Sequence, residues 1–198
     1  MHQRIIGLYD ENAAAWDALR GPDARLERKW LERFADLLPA GGRILDIGCG
    51  TGRPIAGWLT DRGLRVTGVD SSPALIAIAR KRFPEARWHV ADMRALALPE
   101  RFDGLVAWHS LFHLSPEDQR PVFARMAAHA APGAILMFTS GCSEGIRVGQ
   151  WQGEPLYHAS LDPAEYRRLL EQNGFEPLDC RLRDPQCGEA SVWIARRL

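Results

Sequence analysis

The chain has 198 residues and a formal net charge of zero, with 25 Lys and Arg against 25 Asp and Glu. That length suits one domain around one core, and the balanced charge leaves no electrostatic footprint for a nucleic acid or an anionic membrane. No apolar run approaches the ~20 residues that a bilayer-spanning helix needs, and Met1 to Asp10 lack the apolar core of a signal peptide, so a cytoplasmic protein is expected. Cys49, Cys142, Cys180 and Cys187 form no C-x-x-C pair, and neither a disulfide framework nor a metal site is expected.

In chain order, residues 4–20 are expected to form one helix, with Ile5, Leu8, Tyr9, Trp16 and Leu19 toward one side. Gly21-Pro22 breaks it and opens a second helix, Pro sitting at a first helical position, with Leu26, Trp30, Phe34 and Leu37/Leu38 at helical spacing. Residues 1–40 thus read as a helical cap. Strands and helices then alternate. Strands are expected over 43–47, 65–69, 87–91, 102–108 and 134–139. Helices are expected near Arg53, after the Ser72-Pro73 cap, and after Ser115-Pro116, where Pro121 predicts a kink or a later start. Asp162-Pro163-Ala164-Glu165 marks another helix start, with Leu161 and Tyr166 placed as a hydrophobic staple, and Asn173-Gly174 its stop. Phe175 to Leu182 and Ala190 to Ala195 read as two closing strands. The fold class is α/β: a doubly wound, mostly parallel seven-stranded sheet with an antiparallel C-terminal edge hairpin and an N-terminal helical cover.

The first strand runs straight into Asp46-Ile47-Gly48-Cys49-Gly50-Thr51-Gly52, and the second ends in Asp70. A glycine turn followed ~20 residues later by a carboxylate is the spacing of a nucleotide-binding α/β fold, in which the carboxylate accepts hydrogen bonds from ribose hydroxyls. A dinucleotide site needs G-x-G-x-x-G, with a helix N-terminus meeting a pyrophosphate. Here Arg53 and Pro54 follow a G-x-G-x-G turn, and Asp46 would repel a pyrophosphate but suit an ammonium group. S-adenosylmethionine (SAM) has an amino group, a sulfonium and a ribose, and lacks a phosphate.

At these residues the chain resembles the class I, Rossmann-like SAM-dependent methyltransferases of the small-molecule type. Asp46 to Gly52 look like the family's first motif, Val69-Asp70-Ser71-Ser72 its acidic second motif, and Ala91-Asp92-Met93 its third. The resemblance covers roughly Gly42 to Phe138. It implies a cofactor-binding core over 42–140 and a cofactor site of Tyr9, Trp16, Asp46, Gly48, Cys49, Gly50, Gly52, Asp70, Ser71, Asp92, Met93 and Trp108. Asp92 would take the adenine amino group and Met93 would pack on the ring; the alternative for Asp92 is a helix cap. Tyr9 and Trp16, seven apart, would place the first helix over the cofactor.

Methyl transfer from a sulfonium asks chiefly for alignment, and a neutral acceptor also needs a base, most often His. The candidates are His158, His113 and His109, with Tyr157 in reserve; His113 in Leu111-Phe112-His113-Leu114 reads equally well as a structural histidine. His2, His89 and His129 read as remote from the site. The segment 141–160 is the expected substrate loop, a small hairpin turning at Gln152-Gly153 whose Trp151 either walls a pocket or packs the loop. Residues 161–198 complete the domain. Trp108-His109-Ser110 stand after the fourth strand where an Asp-Pro-Pro-Tyr or Asn-Pro-Pro-Tyr motif would mark amino-methylation of adenine or glutamine. The expected activity is methyl transfer to O or N of a small-molecule acceptor, with no nucleic-acid or membrane partner; the acceptor and the oligomeric state stay open. A non-catalytic SAM-binding protein and a nicotinamide-dependent oxidoreductase are the alternatives.

Overall fold

A computed structural model describes residues 4–198; His2 lies outside them. Five parallel strands form the centre of a seven-stranded sheet: β1 (Arg43–Ile47), β2 (Arg65–Asp70), β3 (Arg87–Val90), β4 (Phe102–Ala107) and β5 (Ala130–Ser140). The order is β3-β2-β1-β4-β5-β9-β8, with β8 (Phe175–Asp184) and β9 (Ala190–Arg197) added antiparallel at the β5 edge. Because the sheet is covered on both faces, its strands are apolar almost throughout. Ile44, Val66, Val106, Met137 and Ile194 pack toward one layer with Trp30, Leu31, Phe34, Leu59 and Ile76. Leu45, Ile47, Leu105, Phe138 and Trp193 pack toward the other with Phe123, Tyr166 and Leu170.

The helices are α1 (Ile5–Glu11), α2 (Ala13–Arg20), α3 (Arg28–Asp36), α4 (Ile55–Thr60), α5 (Pro73–Arg82), α6 (Pro116–His129) and α7 (Pro163–Gln172). Three local start signals read from the sequence hold. Ser72 accepts from the Leu75 amide, Ser115 from the Asp118 amide, and Asp162 from the Ala164 amide. None of the described helices is long and apolar enough to cross a membrane.

Several expectations are corrected. The single helix over 4–20 is two helices, because the Asn12 side chain donates to the Leu8 carbonyl at 2.9 Å and takes the acceptor that the helix would use. Pro22 opens no helix: α3 begins at Arg28, the intervening turn is closed by an Arg20–Glu27 ion pair at 2.9 Å, and Leu26 is exposed. The helix after Ser115 starts at its cap and passes Pro121 unbroken, so no later start occurs. β5 starts at Ala130 and absorbs Pro132-Gly133 as a register shift against β4. β4 ends at Ala107, leaving Trp108 outside the strand. The hairpin over the substrate segment forms as β6 (Gly145–Trp151) and β7 (Glu154–Ser160), a separate two-stranded sheet turning at Gln152-Gly153.

Candidate active site

The carboxyl ends of β1 to β4 converge on one cavity, the place where open parallel sheets hold ligands. Gly48 and Gly50 come from the turn after β1, Asp70 and Ser71 from the end of β2, Asp92, Met93 and Arg94 from beyond β3, and His109, Ser110 and His113 from beyond β4. Ile5, Tyr9 and Trp16 close it from the cover. The turn is clamped to β2: the Gly48 and Cys49 amides donate to the Val69 carbonyl at 2.8 and 3.0 Å. Gly50 has φ 55°, a left-handed conformation that costs glycine nothing. A Cβ there would stand 3.2 Å from the Trp16 indole nitrogen.

Asp70 Oδ2 accepts from the Gly50 amide and Oδ1 from the Ser72 amide, both at 2.9 Å. Burial pushes its pKa up, and those amides pull the other way. Asp46 lies buried in β1, and its Oδ2 has no hydrogen-bond partner among the described residues. Burial and the neighbouring Asp70 push Asp46 up to about 7, against a pull from Arg20. Isolated buried carboxylate oxygens are costly; Asp46 itself lines neither cavity and sits behind the glycine turn.

Asp92 both lines the cavity and caps a 3₁₀ turn over Met93–Ala95. The Arg94 guanidinium grips both Asp92 oxygens at 2.6–3.0 Å and reaches Asp118 at 3.1 Å, holding the Asp92 carboxyl below the usual range.

Two ionic anchors hold the cover. Asp10 Oδ1 accepts from the Ser72 hydroxyl at 2.6 Å and the Ala74 amide at 2.9 Å, at the N-terminus of α5. Asp17 forms a bidentate pair with Arg82, both bonds 2.6 Å. Although the cover is broken at Asn12, Tyr9 and Trp16 still meet edge to face at 5.0 Å between ring centroids. Trp151 reaches over from β6, stacks on Tyr9 at 5.2 Å and meets Trp16 at 5.7 Å. Trp151 therefore packs the hairpin down onto Tyr9 and Trp16 and does not itself line the cavity.

A second cavity, wider at about 470 Å³ against about 100 Å³, lies beneath the hairpin. Its walls include Phe112, Cys142, Glu144, Arg147, His158, Ser160, Arg183 and Glu189. Among the described residues lining the two cavities, only His109 lines both. Its φ of 51° is unusual for a residue with a side chain. The Thr139 hydroxyl accepts its amide N–H at 2.8 Å. Burial, with repulsion from Arg20, lowers its imidazole pKa to about 3, so the ring is neutral at ordinary pH. His158 is partly buried, with its pKa lowered by that burial, and its ring lies 4.9 Å from both Phe112 and His113.

The three candidate histidines thus come together, but Tyr157 does not join them. Successive strand residues face opposite sides. While His158 pairs with Arg147 over the second cavity, Tyr157 pairs with Val148 and is buried against Ile5 and Ala159. Trp108 packs into the core with Ile44, Trp30 and Ile135 and lines neither cavity. Cys49 is likewise a core residue, and a Cβ on Gly52 would meet Trp88 at 2.8 Å, so that glycine serves packing. Asp10 and Arg94 were not anticipated; Asp10 beside Tyr9 and Arg94 beside Asp92 were readable only as neighbours of chosen residues.

A family model described as a methyltransferase domain matches residues 20–179. The chain is 30% identical over 167 residues to an O-methyltransferase of Pyrenophora dematioidea, covering 78% of this chain and 62% of that one. It is 33% identical over 133 residues to dTDP-4-amino-2,3,4,6-tetradeoxy-D-glucose N,N-dimethyltransferase of Saccharopolyspora spinosa, covering 64% and 53%. It therefore spans less than two thirds of the length of these relatives. The fold matches that of SAM-bound CalS10, an amino pentose methyltransferase from Micromonospora echinaspora, with a TM-score of 0.73 at 22% identity over 93% of this chain and 95% of that one.

Proposed function

The chain belongs to the methyltransferase-domain family, and on that premise we propose that it is a SAM-dependent methyltransferase acting on an O or N atom of a small-molecule acceptor in the cytoplasm. The observation that carries the reading is the unpartnered, buried Asp46 oxygen behind a glycine turn whose next carboxylate is Asp70. A ligand with an ammonium and a ribose satisfies both groups, whereas a pyrophosphate would face two carboxylates. When bound, SAM supplies an activated methyl group on sulfur.

The chain's own residues bind, align and exclude water. Asp70 takes the ribose hydroxyls, Asp46 the amino group, and Asp92 and Met93 the adenine. Arg94 keeps Asp92 ionised and therefore accepting. Tyr9 and Trp16 roof the sulfonium with aromatic rings, which attract a cation, and Trp151 backs them. The acceptor occupies the second cavity, and His109 stands where the two cavities meet. Orientation alone contributes on the order of 7–11 kcal/mol to such a reaction. His158, on the acceptor side and partly open, takes the proton that a neutral amine or hydroxyl loses. The second cavity beside the cofactor site and the relatives named above, an O-methyltransferase and a sugar N,N-dimethyltransferase, support the acceptor class.

Calorimetric titration with SAM and with NAD tests the cofactor, and release of S-adenosylhomocysteine in the presence of a metabolite mixture tests turnover. Binding of NAD without SAM would overturn the cofactor assignment. Tight SAM binding without product from any acceptor pool would point to the non-catalytic alternative.

A further inference from the structure

His113 is engaged at both ring nitrogens. The Tyr157 carbonyl stands 3.0 Å from Nδ1 and the Tyr9 hydroxyl 3.1 Å from Nε2. A carbonyl can only accept, so Nδ1 carries the proton, Nε2 is left as an acceptor, and the Tyr9 hydroxyl donates to it. The same ring meets Tyr9 at 5.3 Å and His158 at 4.9 Å. One imidazole thus ties three separate pieces of chain: α1 of the cover, the turn after β4, and strand β7 of the hairpin.

We infer that His113 is the pin that holds the cover shut by fixing Tyr9 against the hairpin, a positioning residue and not the base of the reaction. A base needs a free lone pair facing the acceptor. The only lone pair of the neutral ring is spent on Tyr9, and His113 lines the cofactor-side cavity but not the one beneath the hairpin. Because β7 also carries His158, the pin joins the wall of the acceptor cavity to the roof of the cofactor cavity. The part that concerns cofactor retention rests on the methyltransferase reading.

Two substitutions separate the bonds. His113→Asn keeps an amide N–H near the Nδ1 position and loses the acceptor for Tyr9. Tyr9→Phe removes the donor and leaves the ring. Hydrogen exchange of the ligand-free protein, read over residues 5–20, tests the pin without any cofactor: both variants should lose protection there, and the double variant should lose no more than the worse single one. SAM dissociation, followed by tryptophan fluorescence on displacement with S-adenosylhomocysteine, should speed up about three- to tenfold in each single variant, the size expected for one neutral hydrogen bond. The double variant should again match the singles. Thermal melting checks that each variant folds, and His113→Gln, which keeps an acceptor near Nε2, should restore the Tyr9 contact and most of the protection over 5–20.

Additive effects in the double variant, or unchanged exchange in both singles, would overturn the pin. So would a hundredfold loss of saturating turnover in His113→Asn with SAM dissociation unchanged. Should the unmodified protein fail to bind SAM, the methyltransferase reading falls, and the ligand-free exchange experiment still decides the pin.

Discussion

Asp46 faces Gly68 across the β1–β2 pair, two residues short of Asp70, and the charge of Asp70 helps to keep Asp46 protonated up to about pH 7. Two carboxyl groups thus lie near the ends of adjacent strands, half-buried Asp70 held by backbone amides and buried Asp46 with an oxygen left over. The amides make Asp70 a fixed acceptor. The unpartnered oxygen of Asp46 is the one that the proposed ammonium would satisfy.

This arrangement gives SAM affinity a pH dependence with a definite sign. An ammonium favours the ionised Asp46, so binding expels the proton that the carboxyl holds below about pH 7. Affinity should therefore fall as the pH drops from 7 toward 5.5, by up to about tenfold per unit for one proton. 5′-Methylthioadenosine, which lacks the ammonium, should show no such slope. Stability follows the opposite sign. A carboxyl whose folded pKa is raised favours the fold below its unfolded value, near 4, and loses that advantage as the pH rises through about 7. Asp46→Asn should then melt higher than the parent at pH 8 and bind SAM with no slope. A slope that survives in this variant would assign the proton to Asp70 instead.

Asp70→Ala should weaken SAM by about 1.5–3 kcal/mol for each charge-assisted bond lost. Asp70→Asn should lose less, since its amide oxygen can still receive the Gly50 amide. Gly50→Val should do worse than either. Its side chain would need a positive φ and would push into Trp16. Titration of the three folded variants ranks them, and equal affinities would remove Asp70 from the ribose site.

Much of this architecture was legible along the chain because the signals are local. The Ser72, Ser115 and Asp162 caps each sit within three residues of the amide they receive. The strands before the glycine turn and before Asp70 are short apolar runs with clear ends. What escaped depends on contacts between distant residues or on competition within a turn. The break at Asn12 comes from one side chain taking one carbonyl. Trp108 packs into the core layer of Val106, two residues back on the same side, instead of reaching the cavity. The separation of Tyr157 from His158 was available from strand alternation, once the hairpin itself was expected.

His158→Gln should lower turnover by roughly 10²–10⁴ if a proton must leave the acceptor, with SAM affinity unchanged. Since burial lowers the pKa of His158, the acid limb of the rate profile should fall below the ordinary imidazole value of ~6.5 and should vanish in the variant. His109→Asn, at the junction of the two cavities, should raise the KM for the acceptor as well as lower kcat. If His158→Gln keeps full turnover and the same profile, the acceptor reacts by alignment alone.

Trp151 provides the most direct reading of the roof. Its stack on Tyr9 and its edge contact with Trp16 are two aromatic pairs, each contributing about 0.5–1.5 kcal/mol beyond the area buried. Trp151→Ala removes both while leaving the anchors at Asp10 and Asp17 in place. The cover should stay folded yet close less tightly, so SAM should bind about five- to a hundredfold more weakly, with most of the change in dissociation. Hydrogen exchange over residues 5–20 should gain protection when SAM binds the parent protein and gain less in Trp151→Ala. Equal protection in both would show that the two ionic anchors alone set closure and that Trp151 serves only to pack the hairpin.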